Sequence, residues 1–293
     1  MLNQRKVTYD VQKKLSKLEA VIVVPVYKPA DELCETDRLG LISAFHHFAE
    51  YPVVFAGPKR VGEKAYLDIA SAYAVESKFI AFDDAYFLGK DAYSRLLVSN
   101  HFYDCFRNYK YMLICQTDAF VFHNKLKEWI GKGYSYIGAP WVERNELGQI
   151  KMTGAGNGGF SLRKISDFIR LTNKINHLQK LFSFWQSNKM TRKIPFGMFL
   201  RICAAPLWLD CKINKYTFYL AGNQLQHEDK YWCEWVSKVF TEFKNAPSWL
   251  SSRFAIEEEP SHFMQELAGD MPMGCHAWAI IDPVFWKRYI KVS

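Results

Sequence analysis

Apolar positions along this chain fall into short unbroken runs, separated by stretches with helical spacing. Residues 20–27 read Ala-Val-Ile-Val-Val-Pro-Val-Tyr, a β-branched apolar run that fits a strand buried on both faces. Pro25 has no amide hydrogen to give a ladder, so the strand should be ending there. A helix is expected through 39–48, a second strand at 52–56 closed by Gly57-Pro58, and a third at 79–82 followed by Asp83-Asp84. Helical spacing over 93–109 leads into 111–121, Tyr-Met-Leu-Ile-Cys-Gln-Thr-Asp-Ala-Phe-Val, read as the central strand. Strands alternating with helices predict an α/β fold with a mainly parallel sheet and helices on both faces. Ligands in such sheets gather beyond the carboxyl ends of the strands. Tyr27, Asp83, Asp84 and Asp118 all fall there.

After Asp118 the pattern changes. A short helix is expected at 126–131 and a short strand at 136–138. A glycine-dense loop, 154–159, runs into a strand or helix start. Residues 164–210 are predicted mostly helical, with aromatic-rich irregular pieces. No repeat or low-complexity linker divides the chain. The expectation is one compact domain over 1–293, with a first half at 19–125 and an elaborated second half at 126–293.

The central run carries one carboxylate, Asp118. An unpaired buried charge costs several kcal/mol, so Asp118 either meets a ligand in a cleft or is capped or ion-paired at the strand end. On this stretch alone the two readings stand level. Composition adds limits. Of 293 residues 49% are hydrophobic and 16% aromatic, which suits a ring-stacking cleft and equally a large core. The net charge is +8, yet no dense Lys/Arg block appears, so a nucleic-acid partner is not supported. The most basic zone, 164–193, is interleaved with Phe182, Phe184 and Trp185. It reads as a membrane-surface or acceptor-docking helix, or as the solvated side of an ordinary one. Seven dispersed cysteines without a C-x-x-C pair argue for reduced thiols. Residues 1–18 lack the apolar core of a secretory signal, and no apolar run could span a bilayer. A cytoplasmic location is expected, with peripheral contact to the inner face of the plasma membrane left open.

Several catalytic motifs fail on inspection. Gly154, Gly156 and Gly159 match G-x-G-x-x-G, but no strong strand precedes them and no acid follows near 173–176, so dinucleotide binding is rejected. Gly57 to Lys64 misses a P-loop, with Glu63 where Lys belongs. G-x-S-x-G and H-E-x-x-H are absent, which removes simple serine hydrolases and zinc proteases. Glu228-Asp229 opens an aromatic helix. It is either favoured there by the helix dipole or serves as a general base. His276, between Gly274-Cys275 and Ala277-Trp278, is by itself more often a core histidine.

In chain order, Pro25-Val26-Tyr27, Tyr93-Ser94-Arg95-Leu96, Gln116-Thr117-Asp118-Ala119-Phe120, Gly138-Ala139-Pro140-Trp141, Gly156-Asn157-Gly158-Gly159-Phe160-Ser161-Leu162-Arg163, Glu228-Asp229 and Pro272-Met273-Gly274-Cys275-His276-Ala277-Trp278 resemble the DUF5672 family. That family is similar in layout to GT-A glycosyltransferases, with a Rossmann-like nucleotide-sugar half and an acceptor half. The resemblance implies a nucleotide-sugar donor framed by Pro25, Val26 and Tyr27, with Asp83 or Asp84 at base or ribose. It implies Tyr93 and Arg95 over the nucleotide, with Arg95 at the diphosphate, and Asn157, Gly158 and Gly159 against a sugar. Gln116 and Asp118 take the place of the metal-binding Asp-x-Asp, whose first carboxylate is missing here. Mn²⁺ or Mg²⁺ held by Asp118 and His276 is therefore left open beside a metal-independent reaction. Asp229, or else Glu228, is expected as the base.

The leading expectation is a glycosyltransferase acting on a glycan or lipid-linked glycan acceptor in bacterial surface polysaccharide synthesis, capsule or lipopolysaccharide. The alternative is a non-catalytic nucleotide- or sugar-binding module with a degenerate cleft.

Overall fold

The computed structural model describes residues 19–194, 198–199 and 227–291. The central sheet is mixed and mainly parallel. Its order is β3-β2-β1-β4-β9-β6, built from β1 (Ala20–Pro25), β2 (Val53–Pro58), β3 (Ser77–Phe82), β4 (Tyr111–Cys115), β6 (Tyr136–Ile137) and β9 (Phe160–Lys164). β1, β2, β3 and β4 run parallel, and β9 is antiparallel to both β4 and β6. Helices α1 (Glu35–Phe48), α2 (Glu63–Ala72), α3 (Lys90–Leu97), α4 (Asn100–Asp104), α5 (Leu126–Gly131) and α6 (Ile165–Ser187) flank it. A later helix, α7, starts at Glu228–Lys230, widens into a π-type stretch over Tyr231–Val236 and ends at Ser237–Val239.

The strand period of two explains the layers. Ala20, Ile22 and Val24 of β1 pack with Leu41, Phe45 and Phe48 of α1. Val21 and Val23 point the other way, into Leu96, Phe102, Phe168 and Trp232 from α3, α4, α6 and α7. These five β1 side chains are essentially sealed from solvent. Burying each Val or Ile contributes roughly 1.5–3 kcal/mol, which is why an unbroken apolar run was needed.

The chain passes from β1 outward to β3, then returns across β1 to lay down β4. The sheet's switch point, where ligands collect, therefore lies between the carboxyl ends of β1 and β4. The antiparallel β9 brings its amino end to the same place, since Phe160 pairs with Cys115.

Three expectations need correction. Residues 111–121 are two strands: β4 stops at Cys115, a turn follows in which Ala119 N–H donates to Gln116 C=O at 3.0 Å, and β5 (Phe120–Val121) joins another sheet. The helix expected over 93–109 is split into α3 and α4, because the Ser99 hydroxyl caps a new start by accepting from Phe102 N–H. Residues 149–153, too weakly apolar to look like a strand, lie in a hairpin of β7 (Pro140–Arg144) and β8 (Ile150–Ala155). The expected helical stretch from 164 is present as α6, followed by a short turn at Thr191–Lys193; the remainder to 210 lies largely outside the described residues.

The second sheet is small, ordered β10-β11-β5, from β10 (Ala255–Ile256) and β11 (Gly274–Cys275). β10 and β11 are parallel, with Ile256 beside Cys275, and Cys275 faces Phe120 of β5. The residues just beyond these pairs are Glu257, His276 and Asp118. Backbone pairing alone thus draws three distant titratable groups together.

Candidate active site

A cavity of about 500 Å³ opens at the switch point, within the range of small-molecule sites. Tyr27 extends from the end of β1, and its hydroxyl accepts a 3.1 Å hydrogen bond from the Gln116 amide at the end of β4. Tyr27 also meets Tyr93 edge-on at 5.4 Å and Phe87 at 6.0 Å, making an aromatic wall. The buried Tyr93 hydroxyl is turned toward Tyr27 and Gln116, which tie the wall to the end of β4.

The floor is a charged chain. Nδ1 of His276 lies 2.8 Å from Glu257 Oε1, and Nε2 lies 3.3 Å from Asp118 Oδ1 and 3.1 Å from Gln116 Oε1. Burial works against a charged ring, but the Asp118 and Glu257 carboxylates outweigh it and push His276 up to about 10. His276 is therefore imidazolium at neutral pH, donating from both nitrogens. That fixes the Gln116 amide, with Oε1 toward His276 and Nε2 toward Tyr27. Glu257 is held in turn by the Asn157 amide, which donates at 2.5 Å to its other oxygen.

This chemistry does not fit the ligand pair expected for Mn²⁺ or Mg²⁺. A metal-bound imidazole needs a free lone pair, and both nitrogens of His276 are committed to carboxylates or Gln116. Among the described residues no group of three or more His, Cys, Asp or Glu side chains is placed to hold an ion.

The glycine loop is demanded by packing. A Cβ on Gly159 would sit 2.0 Å from His276 Nε2, and one on Gly158 would sit 2.5 Å from Glu228 Oε1. Loop backbone and functional side chains interlock because both positions lack a side chain. The turn carrying Asp118 is seated likewise: a Cβ on Gly40 of α1 would meet Thr117 O at 2.2 Å and Ala119 O at 2.3 Å.

The two carboxylates opening α7 have different surroundings. Glu228 is buried, with both oxygens on the guanidinium of Arg163, at 2.7 and 3.1 Å. Arg163 is wholly buried in β9 and also donates to Tyr103, Tyr136 and Ser161. Burial disfavours the charged guanidinium, but Glu228 with Tyr136 and Tyr103 more than offsets it and holds Arg163 well above its ordinary value. Glu228 is thus a structural counter-ion that shows an edge to the cavity. Asp229 lies in the cavity wall half-buried, and among the described residues its Oδ1 accepts only from its neighbour's amide, Lys230 N–H, at 2.7 Å. Burial raises the pKa of both carboxyls, that of Glu228 to about 7; Asp229 differs in having no ion pair among the described residues.

Tyr27, Tyr93, Gln116, Asn157, Gly158, Gly159, Glu228, Asp229 and His276 come together around this cavity. Asp118 stands behind it through His276. Pro25 and Val26 are buried in the sheet end and do not line it. Asp83 caps a short turn by accepting from Ala85 N–H, and Asp84 pairs with Arg60 and Lys59 N–H at the surface. Arg95 is exposed and turned away from the cavity; the cation of α3 that lines it is Lys90, in the first turn. Lys90, Phe87, His227 and Glu257 were missed. Glu257 heads a Glu-Glu-Glu run that reads as solvated charge, and only its place after β10 reveals it.

Residues 76–276, from β3 to His276 itself, match the family described as "Protein of unknown function (DUF5672)". The chain belongs to the DUF5672 family. No curated protein matches it. Solved structures similar to this DUF5672 chain include the apo glycosyltransferase GlyE of Streptococcus pneumoniae TIGR4, at 10% identity and TM-score 0.43, covering 88% of this chain and 54% of that one. A glycosyltransferase involved in glycosylation of the major capsid of PBCV-1 matches at 9% and 0.41, over 93% and 99% of the two chains. Core-mannan synthase A (CmsA/Ktr4) of Aspergillus fumigatus, in a Mn/GDP form, matches at 9% and 0.36, over 54% and 64%. The DUF5672 chain spans about half the length of GlyE.

Proposed function

We propose that this chain is a nucleotide-sugar-dependent glycosyltransferase whose donor lies in the switch-point cavity. The observation that carries the reading is one cavity, at the carboxyl ends of β1 and β4, that joins an aromatic wall to a half-free carboxylate with a raised pKa. Flat rings suit a base or a sugar face, and a carboxylate made more basic by burial suits proton removal from a hydroxyl. Asp229 takes the acceptor's proton as the acceptor oxygen bonds to the anomeric carbon. The bond from that carbon to the diphosphate oxygen breaks, and the nucleoside diphosphate leaves with the electron pair. Lys90 offsets the charge that develops on it. His276, Glu257 and Asp118 hold Gln116 and Tyr27 in place. The acceptor is a glycan or lipid-linked glycan of surface polysaccharide synthesis.

The second reading, a binding module without turnover, draws support from Glu228, Glu257 and Asp118 all being paired already. One experiment separates the two: thermal shift across nucleoside diphosphates, followed by turnover of the matching nucleotide sugars, each with Mn²⁺ and with EDTA. A selective shift with turnover supports the enzyme. A shift without turnover of any donor supports the module, and no shift with any nucleotide rejects the enzyme and a nucleotide-binding module alike.

A further inference from the structure

We infer that the surface formed by residues 278–291 docks this protein onto an anionic lipid bilayer. Two short helices carry it, α10 (Trp278–Ile281) and α11 (Pro283–Trp286), which follow α8 (Ser248–Phe254) and α9 (Pro260–Glu266). Ile280, Ile281, Val284 and Tyr289 are 75%, 42%, 72% and 44% exposed. They stand on a firm base, because Trp278, Phe285, Trp286 and Ile290 are buried beneath. Single exposed apolar side chains are ordinary; four within ten residues, adjoining Lys287, Arg288 and Lys291, make the composition of an interfacial surface. None of these three cations has an ion pair among those described. The segment's one carboxylate, Asp282, accepts from Phe285 N–H to cap α11.

Beside the patch is a second cavity of about 770 Å³, lined by Thr36, Pro283, Lys287 and Lys291, with Trp278 as its apolar side. That combination suits a phosphate headgroup. A second copy of the chain fits poorly, since a two-fold contact would set the same cations against one another. The basic zone expected to meet a membrane is a weaker candidate at its start, because Arg170 and Lys174 are spent on Glu242 and Lys164 on Asp167. The inference does not depend on whether the switch-point cavity transfers sugar.

The test is co-sedimentation of the full chain with phosphatidylcholine vesicles, with and without phosphatidylglycerol. Binding is expected only with the anionic lipid, falling as salt rises. Lys287→Glu/Arg288→Glu/Lys291→Glu should weaken it roughly 100-fold. Ile280→Asp/Val284→Asp should abolish it at low salt, while Lys189→Glu/Arg192→Glu/Lys193→Glu should leave it unchanged. Circular dichroism of each variant keeps folding and binding apart. No binding by the native chain overturns the inference. So does binding by both patch variants as tight as the native chain's, or a lipid-free dimer that the Ile280→Asp/Val284→Asp variant dissociates.

Discussion

At the scale of single residues, adjacent carboxylates do different work. Glu228→Gln strands the buried Arg163 without its counter-charge and should cost about 3–5 kcal/mol, read as a fall in urea midpoint. Asp229→Asn should leave that midpoint unchanged or higher, because it replaces a carboxylate that burial makes reluctant to ionise. It should still cut donor turnover roughly 10²–10⁴-fold. If Glu228→Gln is stable and inactive while Asp229→Asn is active, the roles are reversed. His276 gives a pH signature. Its pKa rises from 6.5 in the open chain to about 10 in the fold, so its contribution is complete below about pH 6.5 and drains away as pH climbs through 10. The slope approaches 1.4 kcal/mol per pH unit, about one proton's worth. Urea unfolding across pH 6–10 should show this decline in the native chain and a flatter one in His276→Gln.

At the scale of elements, the site depends on backbone touching side chains through missing Cβ atoms. Gly40→Ala cannot be absorbed by a flexible neighbour, because the atoms it meets are the carbonyls of Thr117 and Ala119. It should lower stability by about 1–3 kcal/mol and loosen Asp118 from His276, seen as a downward shift of the His276 titration by NMR. Gly159→Ala should move the ring itself and abolish nucleotide-induced thermal shift. The long strands were legible in the sequence, since β1 and β4 are apolar on both faces and nothing else satisfies such runs. The glycine loop was legible too, and Gln116 and His276, singled out in the sequence, do line the cavity, with Asp118 beside His276. The break after Cys115 was not, because Ala119-Phe120-Val121 stays apolar on joining its new sheet. β10 and β11 have two residues each, too few for any periodicity, so Glu257 had no local signal. Lys90 was hidden by Arg95, the more obvious phosphate ligand on the same helix.

At the scale of the whole molecule, the cavity takes residues from nearly the full length of the chain: Tyr27, Tyr93 and Gln116 from before residue 126, and Asn157, Asp229, Glu257 and His276 from after it. A ligand bound there should stabilise the whole fold, by about 2.7 kcal/mol at a hundred times Kd, rather than one piece of it. Differential scanning calorimetry should show a single transition moving upward with the bound nucleoside diphosphate; a transition that splits would mean two independently melting parts. The buried guanidinium in β9 carries this further. Arg163 waits for Glu228, 65 residues downstream, before its charge is answered. During synthesis the sheet therefore emerges from the ribosome with a cation at its heart that has hydrogen bonds but no counter-charge, and polypeptides released by premature termination near residue 226 should be captured by chaperones instead of persisting as soluble fragments.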